Sequence, residues 1–125
     1  MKKRYNIIMG VFKIDLYEEI QRLMKELTAS ISKLRDNGVK LAEAERNYKV
    51  SLCQQALKVK AEGQPITLIN TIIYGIDEVA EKRLKRDIAE ANYKTNQEHI
   101  NITKLKLRVL EEQLSREWGN VKNDI

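Results

Sequence analysis

The stretch from Asp77 to Trp118 contains neither proline nor glycine and carries two apolar stripes rather than one. The first runs Val79, Tyr93, Ile100, Leu107, Leu110, Leu114 and Val121, with the small or polar Ala89, Asn96 and Thr103 at its companion positions. The second, Leu84, Ile88, Ala91, Thr95, Ile102, Leu105 and Val109, is spaced by threes, fours and one seven. At about 100° per residue the second stripe lies nearly opposite the first. A helix that is apolar on two faces needs two neighbours, and this requirement governs what the rest of the chain must supply.

One neighbour is legible upstream. Ile20, Leu27, Leu34, Leu41 and Tyr48 recur every seven residues, with Leu16, Leu23, Met24, Ile31 and Leu52 beside them on the wheel. This is the signature of an amphipathic helix of coiled-coil character. Its companion positions, Ser30, Asn37, Ala44 and Ser51, are again small or polar. Large residues facing small ones let two helices approach closely and favour an antiparallel hairpin. The step Asp36-Asn37-Gly38 is a turn signal inside the run. Leu34 and Leu41 nevertheless keep register across it, so the expectation is a continuous helix weakened by about 1 kcal/mol at the glycine.

Glu62-Gly63-Gln64-Pro65 ends that helix with a C-terminal glycine and a proline. Thr67 is placed to cap a short apolar helix ending at Gly75, and Asp77 to cap the long helix that follows. The connector is apolar enough that it should fold back on the hairpin tip, where Val50, Leu52, Ala56, Leu57 and Val59 broaden the first helix's apolar surface. The expected organisation is therefore a basic flexible arm over 1–14 and a single helical domain over 15–125. Within that domain, helices are expected over about 15–60, about 67–75 and about 77–118. The fold class is all-α: an antiparallel, coiled-coil-like helical hairpin with a short connecting helix, assembling into a dimeric or higher helical bundle. A chain of 125 residues that is one-third charged, with one proline and five glycines, suits this reading.

The first hairpin seam supplies only one of the two required neighbours. The outward face, Leu84, Ile88, Ala91, Ile102, Leu105 and Val109, is assigned to a homo-oligomer interface, because contiguous exposed apolar side chains mark interfaces. A two-fold dimer of hairpins is the simplest closed solution.

The net charge of +5 suggests nucleic acid until its distribution is traced. Lys2, Lys3, Arg4 and Lys13 carry four of those charges, and the remainder of the chain is nearly neutral. Lys82, Arg83, Lys85 and Arg86, with the freer aromatic Tyr74, form the strongest candidate site for an anion. Acidic neighbours such as Glu78 and Glu81 could pair with Lys82 and Lys85 through i,i+4 contacts and quiet that surface. A likeness of the connector to a helix-turn-helix is weak, because the following helix lacks a run of base-reading residues. Cys53 is the only cysteine, so no intrachain disulfide forms, and among Leu52, Ala56 and Leu57 it reads as a small buried hydrophobe. His99 has no second ligand at metal spacing, and no nucleophile, base and orienter set or phosphate loop is recognisable. No metal, cofactor or enzymatic activity is expected, and no segment has the length and apolarity of a membrane span.

The order of four stretches adds a resemblance. They are Leu41-Ala-Glu-Ala-Glu-Arg-Asn-Tyr-Lys-Val, Glu62-Gly-Gln-Pro-Ile-Thr-Leu-Ile, Lys85-Arg-Asp-Ile-Ala-Glu-Ala-Asn-Tyr-Lys and Arg108-Val-Leu-Glu-Glu-Gln-Leu-Ser-Arg-Glu-Trp. From about Asp15 to Trp118 the chain resembles a family of small helical coiled-coil proteins of phages and prophages of Gram-positive bacteria. The resemblance carries over no catalytic or ligand-binding residues. It implies a phage gene product working in the bacterial cytoplasm and expressed with early accessory genes. The expected function is that of a non-enzymatic accessory protein that binds or sequesters a host or defence component, either a protein surface or a small anionic signal such as a nucleotide. The alternative is an accessory factor in phage DNA replication or recombination that contacts single-stranded DNA or its binding proteins.

Overall fold

The described residues form three α-helices and one 3-10 turn: α1 over Lys2–Ala61, α2 over Ile66–Ile72, the turn over Ile73–Gly75, and α3 over Asp77–Asn123. The computed structural model describes residues 2–123, and the side chains of residues 15–119. No strand occurs among the described residues. The all-helical class and the packing of a long helix pair agree with the apolar periodicities. Helix α1 takes in residues 2–14, which the sequence set apart as a basic arm. The side chains of Lys2, Lys3, Arg4 and Lys13, and that of Val121, lie outside the described ones.

The helix pair divides into two compact units, one of residues 1–32 with 97–125 and one of residues 33–96. In the first, Ile20, Leu23 and Leu107 are buried together, with Leu27, Leu110 and Leu114 packed against them. The partners of this core are the large seam residues of both helices, and the strands of contact run antiparallel: Ile20 and Leu23 meet Leu107, while Ser30 meets His99. In the second unit Tyr48, Ile73 and Val79 form the core, with Leu52, Ala56 and Ile76 against it. Here too the register is antiparallel, fixed by Asn37 with Asn96 and Gln55 with Glu78.

The companion positions behave as close-approach sites. Ser30, Ser51, Asn96 and Thr103 are all buried, so the small residues of the seam are interior rather than solvent-facing. Asp36-Asn37-Gly38 does not break α1. A Cβ on Gly38 would stand 3.4 Å from Cε2 of Tyr93, so the ring of the facing helix lies directly against this position.

Helix α1 stops where the glycine and proline predict. Gly63 adopts φ +85°, the left-handed region that favours glycine. Its N–H donates to the Lys60 carbonyl at 3.0 Å and the Gln64 N–H to the Val59 carbonyl at 3.4 Å, the paired bonds of a Schellman ending. The two expected caps shift. Pro65, not Thr67, precedes α2, and its carbonyl accepts from the Leu68 and Ile69 N–H groups. Proline's fixed, extended geometry starts the turn earlier than a threonine cap would. At α3 the extended residue is Ile76, whose carbonyl accepts from the Ala80 N–H at 2.9 Å. Asp77 is therefore the first helical residue, where its charge favours the helix N-terminus without capping it.

The connector folds back through one side only. Ile69 and Ile73 are buried, whereas Ile66, Leu68 and Ile72 are exposed, as are Val50 and Leu57 of α1. Burying one isoleucine side chain contributes about 1.5–3 kcal/mol as an upper estimate, and Ile69 of α2 with Ile73 of the 3-10 turn are the connector's buried contribution.

Candidate functional site

The start of α3 carries the residues singled out for an anion, and the structure sorts them into two groups. Arg83 and Arg86 face aromatic rings. The Arg86 guanidinium lies 4.7 Å from the centre of the Tyr48 ring, and that of Arg83 lies 5.9 Å from the centre of the exposed Tyr74 ring. Both distances are within cation–π range. Arg86 also donates from Nε and Nη2 to Oδ1 of Asp87, at 3.0 and 2.9 Å. That hydrogen bond raises the Arg86 pKa above its ordinary value.

Lys82 and Lys85 fall differently. One turn apart on α3, they line a shallow groove with Lys40, Glu43, Ala44 and Asn47 of α1. Among the described residues no ion pair joins Glu78 to Lys82 or Glu81 to Lys85. Glu78 instead accepts a hydrogen bond from Gln55 Nε2 at 2.9 Å. The expected quieting of this surface by i,i+4 pairs therefore does not occur for these two lysines. Three lysines share the groove with a single carboxylate, and Asn47 adds an amide. Such a surface favours an anion whose oxygens can take several ammonium donors at once. Lys40 and Asn47 carry no signal in the sequence by themselves. Only the antiparallel register of α1 and α3 brings them beside Lys82 and Lys85.

The structure also assembles a constellation that sequence reading missed. His99 Nδ1 lies 2.7 Å from Ser30 Oγ, and His99 Nε2 lies 2.9 Å from Glu26 Oε1. Thr103 Oγ1 donates to the His99 carbonyl at 2.7 Å. By residue type, serine, histidine and glutamate compose a nucleophile, a base and an orienting acid. The placement opposes that use. Ser30 is only 6% exposed, and its hydroxyl is held against His99 between the two helices. The backbone N–H groups of a continuous helix are spent on its own hydrogen bonds, so they cannot form an oxyanion hole. The trio is better suited to fixing helix register. His99 is thus an exposed histidine that is partnered within its own chain.

Cys53 is exposed, contrary to the expectation of a buried hydrophobe. It occupies the outer side of α1 while its neighbour Leu52 packs against the core. Tyr93 is half-buried against Gly38, in keeping with its place in the seam.

On α3 the outward stripe is open to solvent in both units. Leu84, Ile88 and Ala91 are exposed in one, and Ile102, Leu105 and Val109 in the other. In the unit containing residues 97–125, Leu105 and Val109 form with Leu23 and Leu110 the apolar floor of an open groove of about 430 Å³, rimmed by Glu19, Arg22 and Lys106. No group of three potential metal-ligating side chains occurs among the described residues, and no described helix is long and apolar enough to cross a membrane. No known protein family, curated protein or solved structure matches the chain.

Proposed function

We propose that this protein acts by binding an anionic ligand or partner group, as a non-enzymatic phage accessory protein that occupies or sequesters a host or defence component in the bacterial cytoplasm. The observation that carries the reading is the groove lined by Lys40, Lys82, Lys85 and Asn47, with Glu43 as its single carboxylate. Three ammonium groups and an amide suit a nucleotide phosphate or a phosphorylated or acidic protein surface. The resemblance in motif order to small phage helical proteins supplies the biological setting. The burial of Ser30 argues against putting the Glu26–His99–Ser30 trio to catalytic use.

The test is direct titration of the full chain with a fluorescent adenine nucleotide and, separately, a fluorescent single-stranded oligonucleotide. Nucleotide binding is expected to weaken about tenfold or more in Lys82→Glu and Lys85→Glu, since each change replaces a donor by a repelling charge. Unchanged binding in both variants refutes the groove as the site. If the oligonucleotide binds instead, with steep salt dependence and loss on removing Lys2, Lys3 and Arg4, the DNA-accessory reading replaces this one.

A further inference from the structure

The outward stripe of α3 is a regular heptad seam, and it reads almost the same in both directions. Leu84, Ile88, Ala91, then Ile102, Leu105 and Val109 follow one another by alternating steps of four and three when the intervening Thr95 and Glu98 are included. A two-fold axis placed between Asn96 and Gln97 carries Leu84 onto Val109, Ile88 onto Leu105, Ala91 onto Ile102 and Thr95 onto Glu98. These are the mixed layers of an antiparallel coiled coil. The apolar members are borne by one continuous helix, and the five large ones are each about half exposed, from 49% for Ile102 to 57% for Leu105.

We infer that α3 pairs with α3 of a second copy of this chain, antiparallel and in this single register, to form a two-fold dimer. This rests on the stripe and not on the lysine groove, so either can fail without the other. The uncovered portions of the five large side chains amount to on the order of 400–500 Å² per copy. Doubled and extended by flanking residues, that approaches the lower end of the about 1,200–2,000 Å² buried by specific interfaces.

Register follows from apolar matching, and direction from Glu98. Sliding the second copy by one heptad sets Ile88 opposite Glu112 and Leu84 opposite Arg116, or, the other way, Ile88 opposite Glu98. Only the palindromic register keeps every large apolar residue facing an apolar one. A parallel pairing would put two Glu98 carboxylates in one layer. The antiparallel arrangement staggers them by about 4.5 Å along the axis and sets each beside a Thr95 hydroxyl, two polar central layers that specify register at a cost in affinity. On one flank it brings Asp87 near Arg108 of the second copy, an opposite-charge pair occurring twice. On the other it brings Lys85 near Lys106 of the second copy, which holds the affinity down.

The experiment uses the full chain with Cys53→Ser, a change at an exposed position that leaves introduced cysteines as the only labelling sites. Sedimentation velocity from low to high micromolar concentration is expected to show a monomer–dimer equilibrium. Ile88→Glu is expected to weaken it at least tenfold while helix content by circular dichroism stays unchanged, because the altered layer occurs twice. Spin labels at Gln97→Cys lie almost level across the axis. Those at Arg116→Cys are offset along it by about 60 Å at 1.5 Å per residue, so pulsed electron paramagnetic resonance should report one short and one long distance. A parent chain that stays monomeric overturns the inference, as does a dimer with equal distances at the two sites or one indifferent to Ile88→Glu.

Discussion

Replacing Gly38 by alanine tests the close approach of the two long helices in the unit of residues 33–96. Glycine inside a helix is about 1 kcal/mol less favourable than alanine, because more backbone freedom is lost on folding. Gly38 lies inside α1 and is not among the positive-φ glycines, so an added side chain meets no backbone strain. What it meets is the Tyr93 ring, with Cε2 at 3.4 Å and Cδ2 at 3.9 Å from the new Cβ. Those are ordinary van der Waals distances, and dispersion against the ring adds a few tenths of a kcal/mol rather than a clash. Gly38→Ala should therefore stabilise the protein by about 1 kcal/mol, raising the melting temperature by about 3–5 °C for a chain of this size. Chemical denaturation followed by circular dichroism should show a higher midpoint with an unchanged slope. The same substitution in a Tyr93→Leu background separates helix propensity, which persists, from the ring contact, which does not. A loss of stability in Gly38→Ala alone would refute the reasoning, because it would mean that the ring cannot accept a methyl group at this spacing.

Two buried serines on α1 should respond to alanine with opposite signs. Ser51 Oγ is buried without a hydrogen-bond partner, so Ser51→Ala relieves a desolvated hydroxyl and should stabilise by about 1–2 kcal/mol, whereas Ser30→Ala breaks the 2.7 Å bond to His99 and should cost about 1 kcal/mol. Equal effects in denaturant melts would contradict this assignment. At the exposed Arg22, Nε donates to Glu19 at 3.0 Å, and this hydrogen bond holds the Glu19 carboxyl below the ordinary glutamate value. A depressed folded-state pKa means that the pair's contribution is present above the unfolded value and is lost as pH falls through the folded one. In an NMR titration Arg22→Ala should return the Glu19 carboxyl to the ordinary range; an unmoved titration would show that Arg22 is not the cause.

The features legible in the sequence were those with a period. Ile20, Leu27, Leu107 and Leu114 announced the seam because helix geometry repeats its contacts, and Gly63 before Pro65 announced the end of α1 because few other residues accept that backbone. Local propensity failed where a neighbouring element decided the outcome. Asn37-Gly38 looks like a turn, yet Asn37 Nδ2 donates to Asn96 Oδ1 at 2.8 Å and Gly38 accommodates Tyr93, both of them facing residues far along the chain. The candidate anion site divided for the same reason. Lys82, Arg83, Lys85 and Arg86 are consecutive enough to look like one cluster, but successive helix positions point in different directions, and the two arginines lie over Tyr48 and Tyr74 while Lys82 and Lys85 line the groove. Lys40, which joins those two lysines, and Glu26, which joins His99, could be found only once the pairing register was known.

Register is itself what the polar seam residues supply. An apolar seam of leucines and isoleucines tolerates sliding by a heptad, since the next turn offers a similar surface. Each unit here carries a pairing that does not survive such a slip: Ser30, His99 and Glu26 in one, Asn37 and Asn96 in the other. A slip would strand partly buried donors and acceptors, at roughly 1–3 kcal/mol for each unsatisfied group. The lysine groove depends on that specificity, because Lys40 and Asn47 meet Lys82 and Lys85 only in the native alignment. Replacing Asn37 and Asn96 together by leucine removes the safeguard while filling the seam. The double variant should gain thermal stability while losing alignment, and therefore lose anion binding although every groove lysine is intact. Greater stability with undiminished binding would show that the apolar layers alone define the register.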